Sequence, residues 1–301
     1  MPVPHVTLFG FYYFLAIASM FAICVACVFL SKKKGPEFTH KLILWLVWTN
    51  FALHFLKQFL PLSIQNWPDS LMWSGSPNLC AFIVLFGPFL YISKNKYLRD
   101  YFFYIGVASG LLVYFWPTTA IERTDLQGMT YILECVRFYF CHLVIIVAPL
   151  LMVTSRLHTL RFKRLWAVPL LFGAVLFVVS IHCAICGPIL HNKGFSTEWF
   201  GPNGIFTRFS SNESMQFGPQ VKLDKAIGFI YPFYFPYLLS YTIDGTTYFV
   251  PVLWILPIIY LGTYLLAPIA IFLVDPKGSK LELAALRQRM KMHRNARQKK
   301  C

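Results

Sequence analysis

The chain has 301 residues, 57% of them apolar and 18% aromatic, with only 13% charged and a mean hydropathy of +0.58. That composition excludes an ordinary soluble domain and makes lipid the solvent. The formal charge of +15 falls in a few short segments, where it suits anionic lipid headgroups and not nucleic acid.

Seven stretches are apolar enough to cross a hydrocarbon core of about 30 Å as helices: residues 8–30, 42–60, 79–93, 101–118, 138–154, 165–190 and 248–274. They predict an all-α membrane protein, a seven-helix transmembrane bundle. The first run lacks a basic start and is long enough to stay embedded, so it reads as a span and not as a cleaved signal. Lys and Arg in short loops mark the cytoplasmic side. Segments 31–41, 94–100, 155–164 and 275–301 hold 4, 3, 4 and 9 of them, whereas 1–7 and 61–78 hold none, 119–137 two and 191–247 four. The expected topology puts the N-terminus outside or lumenal and the C-terminus in the cytoplasm.

The expected domains are a membrane domain over 1–274, including an outer loop at 191–247, and a basic cytoplasmic tail over 275–301. Within the outer segment, His191 to Lys225 is rich in Gly, Ser, Asn and Pro and reads as a loop. Ala226 to Tyr241 is aromatic but broken by Pro232 and Pro236, which suits an interfacial or re-entrant piece. In the tail, Leu283, Leu286 and Met290 at helical spacing suit a basic helix on the membrane surface, and a solvated tail equally well.

In chain order, the second span carries Asn50, His54, Lys57 and Gln58 on one helical stripe. Polar groups in a span avoid lipid, so the stripe should face the bundle interior, as a substrate site or as an interhelical hydrogen-bond ladder. The third span opens with Ser76 as a helix cap, Pro77, Asn78, Leu79 and Cys80. A cysteine in the first turn meets the positive end of the helix dipole, which favours the nucleophilic thiolate; deeper burial would leave it inert. Gly106 and Gly110 in the fourth span have the spacing that lets membrane helices approach.

The fifth span puts His142 roughly 8 Å below the outer boundary; His54 lies at roughly 9 Å and His182, in the sixth span, at about 12 Å. Three imidazoles and a thiol thus stand at similar depth. His182, Cys183, Cys186 and His191 could ligate a metal or haem, but no second Cys-x-x-Cys accompanies them and structural cysteines explain them better. No metal site and no cofactor is expected. A Cys with a His base is the minimum apparatus for acyl transfer through a thioester.

The stretch from Asn50 to Val153 resembles the integral-membrane family that includes bacterial YwaF and animal transmembrane protein 164. The matching residues are PNLC (Pro77 to Cys80), the pair Pro88 and Phe89, the turn Ser93 to Asn95, FFYIGVASGLLVYFWP (Phe102 to Pro117) and FYFCHLVIIVAPL (Phe138 to Leu150). Animal members look like cysteine-dependent acyltransferases that place polyunsaturated chains on ether phospholipids. The resemblance implies Cys80 as the acylated nucleophile and His142 as its general base. Members often carry a His next to or two before the cysteine, where this chain has Ala81, Leu79 and Asn78.

The expected function is therefore membrane-embedded acyl transfer to phospholipids or lysophospholipids. Asn50, His54, Lys57, Asn78 and His182 would hold the substrate, membrane phospholipids are the partners, and no nucleic acid is involved. The alternative is a non-catalytic multi-pass protein, such as a transporter, receptor-like protein or assembly factor, with a polar intramembrane pocket. The sequon at Asn212 and the basic pair Arg297 and Lys299 suit the endoplasmic reticulum or another endomembrane in a eukaryote, and the cytoplasmic membrane would hold a bacterial chain.

Overall fold

The computed structural model describes residues 5–56, 79–115, 128–175, 178 and 252–274, five strands between 209 and 249, and positions 276, 278–280, 282–284, 287–288 and 292 of the tail. The helices are α1 (Phe11–Lys34), α2 (Pro36–Leu56), α3 (Leu79–Ile92), α4 (Lys96–Phe115), α5 (Gly128–Thr154), α6 (167–175) and α7 (Val252–Val274). A 3₁₀ turn, Phe162–Arg164, separates α5 from α6.

Contacts fix the directions of α1 to α5. Gly106 of α4 abuts the Ile145 carbonyl and Pro149 of α5, while Gly110, one turn on, abuts Ile146 and the His142 carbonyl. Tyr114 then donates to the Tyr139 carbonyl at 2.9 Å. As α4 rises, α5 descends. The same reversal joins α2 to α5 through Thr39 with Ser155 (3.4 Å) and Asn50 with Cys141 (3.1 Å). It joins α3 to α4 through Tyr91 with Arg99 and Ile83 with Gly106, and α1 to α4 through Tyr13 with the Phe115 carbonyl (3.1 Å). Five helices therefore alternate in direction around one core containing Ile43, Val47, Ile83, Phe102, Val144, Ala148 and Leu151.

The outer faces of these helices are greasy. Phe11, Phe14, Phe21, Val25 and Phe29 of α1, and Leu261, Leu265, Leu266 and Leu273 of α7, are exposed. An apolar surface this continuous needs lipid against it. Among the described residues two helices, Phe11–Lys34 and Gly128–Thr154, are long and apolar enough to cross a membrane, and Cys80–Ile92 and Tyr260–Val274 are shorter apolar helices.

One end of the bundle collects the basic residues and is locked by a buried acid. Asp100 is 1% exposed. Its Oδ2 accepts from Arg164 Nε at 2.5 Å, and its Oδ1 accepts from Arg164 Nη2 at 3.0 Å and from His158 Nε2 at 2.6 Å. Arg164 also donates to the Thr159 carbonyl. Arg99, next to Asp100, reaches the carbonyls of Tyr91 (3.1 Å) and Leu157 (3.3 Å). The tail closes over this end: Ser279 is buried, and the Glu282 carboxylate accepts from the Phe162 amide at 3.2 Å.

Several expectations need correction here. α2 starts at Pro36, six residues before the expected span, because Gly35 (φ +90°) turns the chain and proline suits a first helical position. α4 starts at Lys96, where the Asn95 side chain caps the Tyr97 amide at 2.9 Å. α5 starts at Gly128, ten residues early, and Glu134 and Arg137 pair within it, so their charges do not mark a loop. Arg164, counted above with a basic loop, points inward to Asp100. In the tail, positions 278–280, 282–284 and 287–288 are helical, and Glu282 there reaches back to the bundle at the Phe162 amide.

Part of the segment read above as a loop is strand. Strands β1 (Phe209–Ser210), β2 (Met215–Phe217), β3 (Val221–Leu223), β4 (Ser240–Ile243) and β5 (Thr246–Phe249) form one antiparallel sheet in the order β3-β2-β1-β5-β4. Ile243 pairs with Thr246 around the sequence Asp244-Gly245, a favoured hairpin dipeptide.

Two substitutions test these contacts. Asp100→Ala leaves Arg164 and His158 buried without their counter-charge, and should cost about 3–5 kcal/mol, read as a lowered thermal unfolding midpoint in detergent. Gly110→Ala puts a methyl against Ile146 and, at 3.0 Å, the His142 carbonyl. It should cost about 1–3 kcal/mol, whereas Gly262→Ala, with open space around it, should leave the midpoint unchanged.

Candidate functional site

The candidate site lies toward the end of the bundle opposite Asp100. α3 begins its described course at Leu79, so Cys80 sits in the first turn, 9% exposed. α3 packs on α4 here, Ile83 against Gly106, and the buried Ser109 hydroxyl donates to the Gly106 carbonyl at 3.2 Å.

Gly110, the next residue of α4, receives the His142 turn of α5. The His142 carbonyl would stand 3.0 Å from a Cβ there, so only a glycine lets the backbones come this close. The His142 side chain is partly buried and folds back along its own helix: Nδ1 lies 2.7 Å from the Phe138 carbonyl, with the Phe138 ring 4.5 Å away. A carbonyl only accepts, so Nδ1 carries the proton and Nε2 keeps the lone pair, the tautomer a base needs. Among the described residues no hydrogen bond joins His142 to Cys80. α4 lies between them, with Ile83 of α3 against Gly106 and the His142 turn of α5 against Gly110.

Asn50 fixes α2 at this level. Its Nδ2 donates to the Cys141 carbonyl at 3.1 Å, a bond of the kind worth about 1–2 kcal/mol in a membrane. Asn50 is 2% exposed, and among the described residues its Oδ1 has no partner. It borders a crevice with Ile83, Val84, Gly87, Phe102 and Val144 that is too narrow for a water molecule. His54, one turn further along α2, is buried with its ring edge-on to Phe55. The stripe of the second span thus turns inward at both described positions.

Three predicted site residues, Lys57, Asn78 and His182, lie outside the described residues, as does the group His182, Cys183, Cys186 and His191. Among the described residues no three His, Cys, Asp or Glu side chains assemble as a metal site.

Sequence reasoning passed over Ser109 and Arg137. Ser109 is a small polar residue inside the apolar fourth span, beside Gly110, where the glycine spacing is the stronger signal. Arg137 pairs with Glu134, placing a partly buried ion pair five residues before His142. Its signal was the i, i+3 spacing of opposite charges in an otherwise apolar run.

The chemistry available is a buried thiol at the start of α3, an imidazole of α5 in its basic tautomer, and a carboxamide of α2 that holds the helix turn before that imidazole. A family model described as the TMEM164 family matches residues 4–197, about two thirds of the chain. No curated protein and no solved structure matches it. With its apolar outer surface and a match of that extent, this membrane protein belongs to the TMEM164 family.

Proposed function

We propose that this protein is a membrane-embedded acyltransferase that remodels phospholipids through a thioester on Cys80. The observation that carries the reading is a buried Cys80 in the first turn of α3, with Ile83 of that helix and the His142 turn of α5 seated one turn apart on α4 at Gly106 and Gly110. In this reading the protein has seven spans, an outer or lumenal N-terminus and a cytoplasmic tail, and resides in an endomembrane or, in a bacterium, the cytoplasmic membrane.

The reaction balances without a cofactor. His142 Nε2 takes the thiol proton, and the sulfur attacks the ester carbonyl of a donor phospholipid. The C–O bond breaks, a thioester forms, and the departing lysophospholipid oxygen takes the proton from the imidazolium. An acceptor lysophospholipid hydroxyl then gives its proton to Nε2 and its oxygen attacks the thioester. The C–S bond breaks and the thiol is restored. His142 must first draw nearer the thiol than its bond to Phe138 alone requires, a tightening that catalytic pairs commonly make on binding substrate. Asn50 and His54, with Lys57, Asn78 and His182, hold the headgroup or orient the base.

A second reading, a non-catalytic membrane component, draws on the tight packing around Asn50, where the crevice admits no water. Trapping separates the two. Incubation with an alkyne-tagged polyunsaturated phospholipid should leave a hydroxylamine-labile acyl group on Cys80. Cys80→Ala should lose that label and at least about 10²-fold of lipid remodelling, as loss of a nucleophile does, while Cys135→Ala keeps both. Remodelling undiminished in Cys80→Ala, with normal expression, ends the proposal.

A further inference from the structure

We infer that Arg137 binds the phosphate of the lipid whose ester is presented to Cys80, with Glu134 holding the guanidinium in orientation. This rests on the reading of Cys80 as the nucleophile and names the group that grips its substrate. Among the described residues of α1 to α5, every other Lys and Arg stands at the basic end, and Glu134 is the one carboxylate away from it. An i, i+3 ion pair adds little to helix stability, and well-packed apolar side chains would serve a bundle in lipid at least as well. A charged pair retained inside an apolar membrane helix therefore points to a use for the charge.

The geometry suits a phosphate. Arg137 Nε donates to Glu134 Oε2 at 2.8 Å and Nη2 donates to Oε1. These bonds engage two of the five N–H donors of the fork. Side-chain exposures of 20% for Arg137 and 13% for Glu134 keep the guanidinium reachable but mostly out of water, where its bonds to phosphate oxygens are strong. From Thr154 at the basic end to Arg137, α5 rises about 25 Å, against a hydrocarbon core of about 30 Å. Arg137 thus stands near the outer edge of that core, where headgroups begin. His142 is five residues deeper, about 7.5 Å. Ile83 against Gly106 and the His142 carbonyl against Gly110 set Cys80, three residues outward of Ile83, at the depth of His142. A glycerophospholipid carries its ester a few bonds inward of its phosphate, a drop of about one helix turn. With the phosphate on Arg137, the ester reaches the level of thiol and imidazole. The register of α2 on α5, Thr39 with Ser155 and Asn50 with Cys141, brings the His54 turn level with Arg137 on the facing helix.

The test measures binding without turnover. Full-length protein in detergent is titrated with a fluorescent dialkyl glycerophosphocholine, whose ether chains cannot be transferred, and with the matching dialkylglycerol, which lacks the phosphate. Arg137→Gln should weaken the phospholipid about tenfold, the loss expected for one hydrogen bond between charged groups, and leave the dialkylglycerol unchanged. Glu134→Gln keeps a hydrogen-bonding partner for the fork but removes the charge that opposes the phosphate, so it should bind the phospholipid at least as tightly as wild type. If Arg137→Gln does not fold, the double variant Glu134→Gln with Arg137→Gln, which strands no charge, should show the same tenfold loss. Inorganic phosphate should not displace the phospholipid. Equal phospholipid binding in wild type and Arg137→Gln overturns the inference. So does equal weakening by Glu134→Gln and Arg137→Gln, the mark of a structural pair, and so does displacement by inorganic phosphate, the mark of a free-anion site. An acyl group forming on Cys80 while phospholipid binding ignores Arg137 would sink this inference alone. Phospholipid binding dependent on Arg137 with no acyl group on Cys80 would sink the acyltransferase reading alone.

Discussion

The contact between α4 and α5 at Gly106 and Gly110 is the constraint from which the site follows. In lipid there is no hydrophobic drive to press two helices together, because the tails are as apolar as the side chains they would displace. Close fit and interhelical hydrogen bonds must supply the attraction. Glycine permits that fit by removing the Cβ that would strike the carbonyls of Ile145 and His142. With the backbones this near, Tyr114 reaches the Tyr139 carbonyl and Asn50, from the other side, reaches Cys141. A bulkier α4 would push α5 outward and loosen both bonds, and His142 would leave the level of Ser109.

The two ends of the bundle are held by different physics. At the basic end a nearly inaccessible Asp100 is met by a two-pronged guanidinium and an imidazole, and its neighbours tie α3, α4, the turn after α5 and the tail together. Removing one partner there strands a charge, so the arrangement is all or nothing. At the opposite end the ties between helices are single neutral hydrogen bonds from an amide and two phenols. Each can break and re-form at small cost. A rigid base with an adaptable far end suits a site whose groups must shift between partners.

What was legible in the sequence is what hydropathy and spacing encode. The stripe of Asn50 and His54 announces an inward face because lipid rejects both, and Gly106 with Gly110 announces a close approach. Charges misled where they were paired. Arg137 resembles a loop marker until Glu134, three residues earlier, is seen to neutralise it, and Arg164 resembles cytoplasmic decoration until Asp100 meets it across 64 residues. No local pattern predicts such a distant partner. The sheet was partly legible, since Asp244-Gly245 between Tyr and Thr-rich runs is a hairpin signal. The Pro-aromatic stretch before it drew the eye instead.

The crevice beside Asn50 is too narrow for a water molecule, and in the proposed reaction the proton leaving Cys80 passes directly to His142. The bond from His142 Nδ1 to Phe138 pins one side of the ring but leaves Nε2 uncommitted within that helix turn. Rotation of the imidazole about that anchor moves Nε2 without breaking the bond that sets its tautomer. The helix carbonyl therefore does for this histidine what a carboxylate does in many catalytic pairs. A neutral acceptor gives orientation without adding a second buried charge, which an apolar bundle could not readily hold.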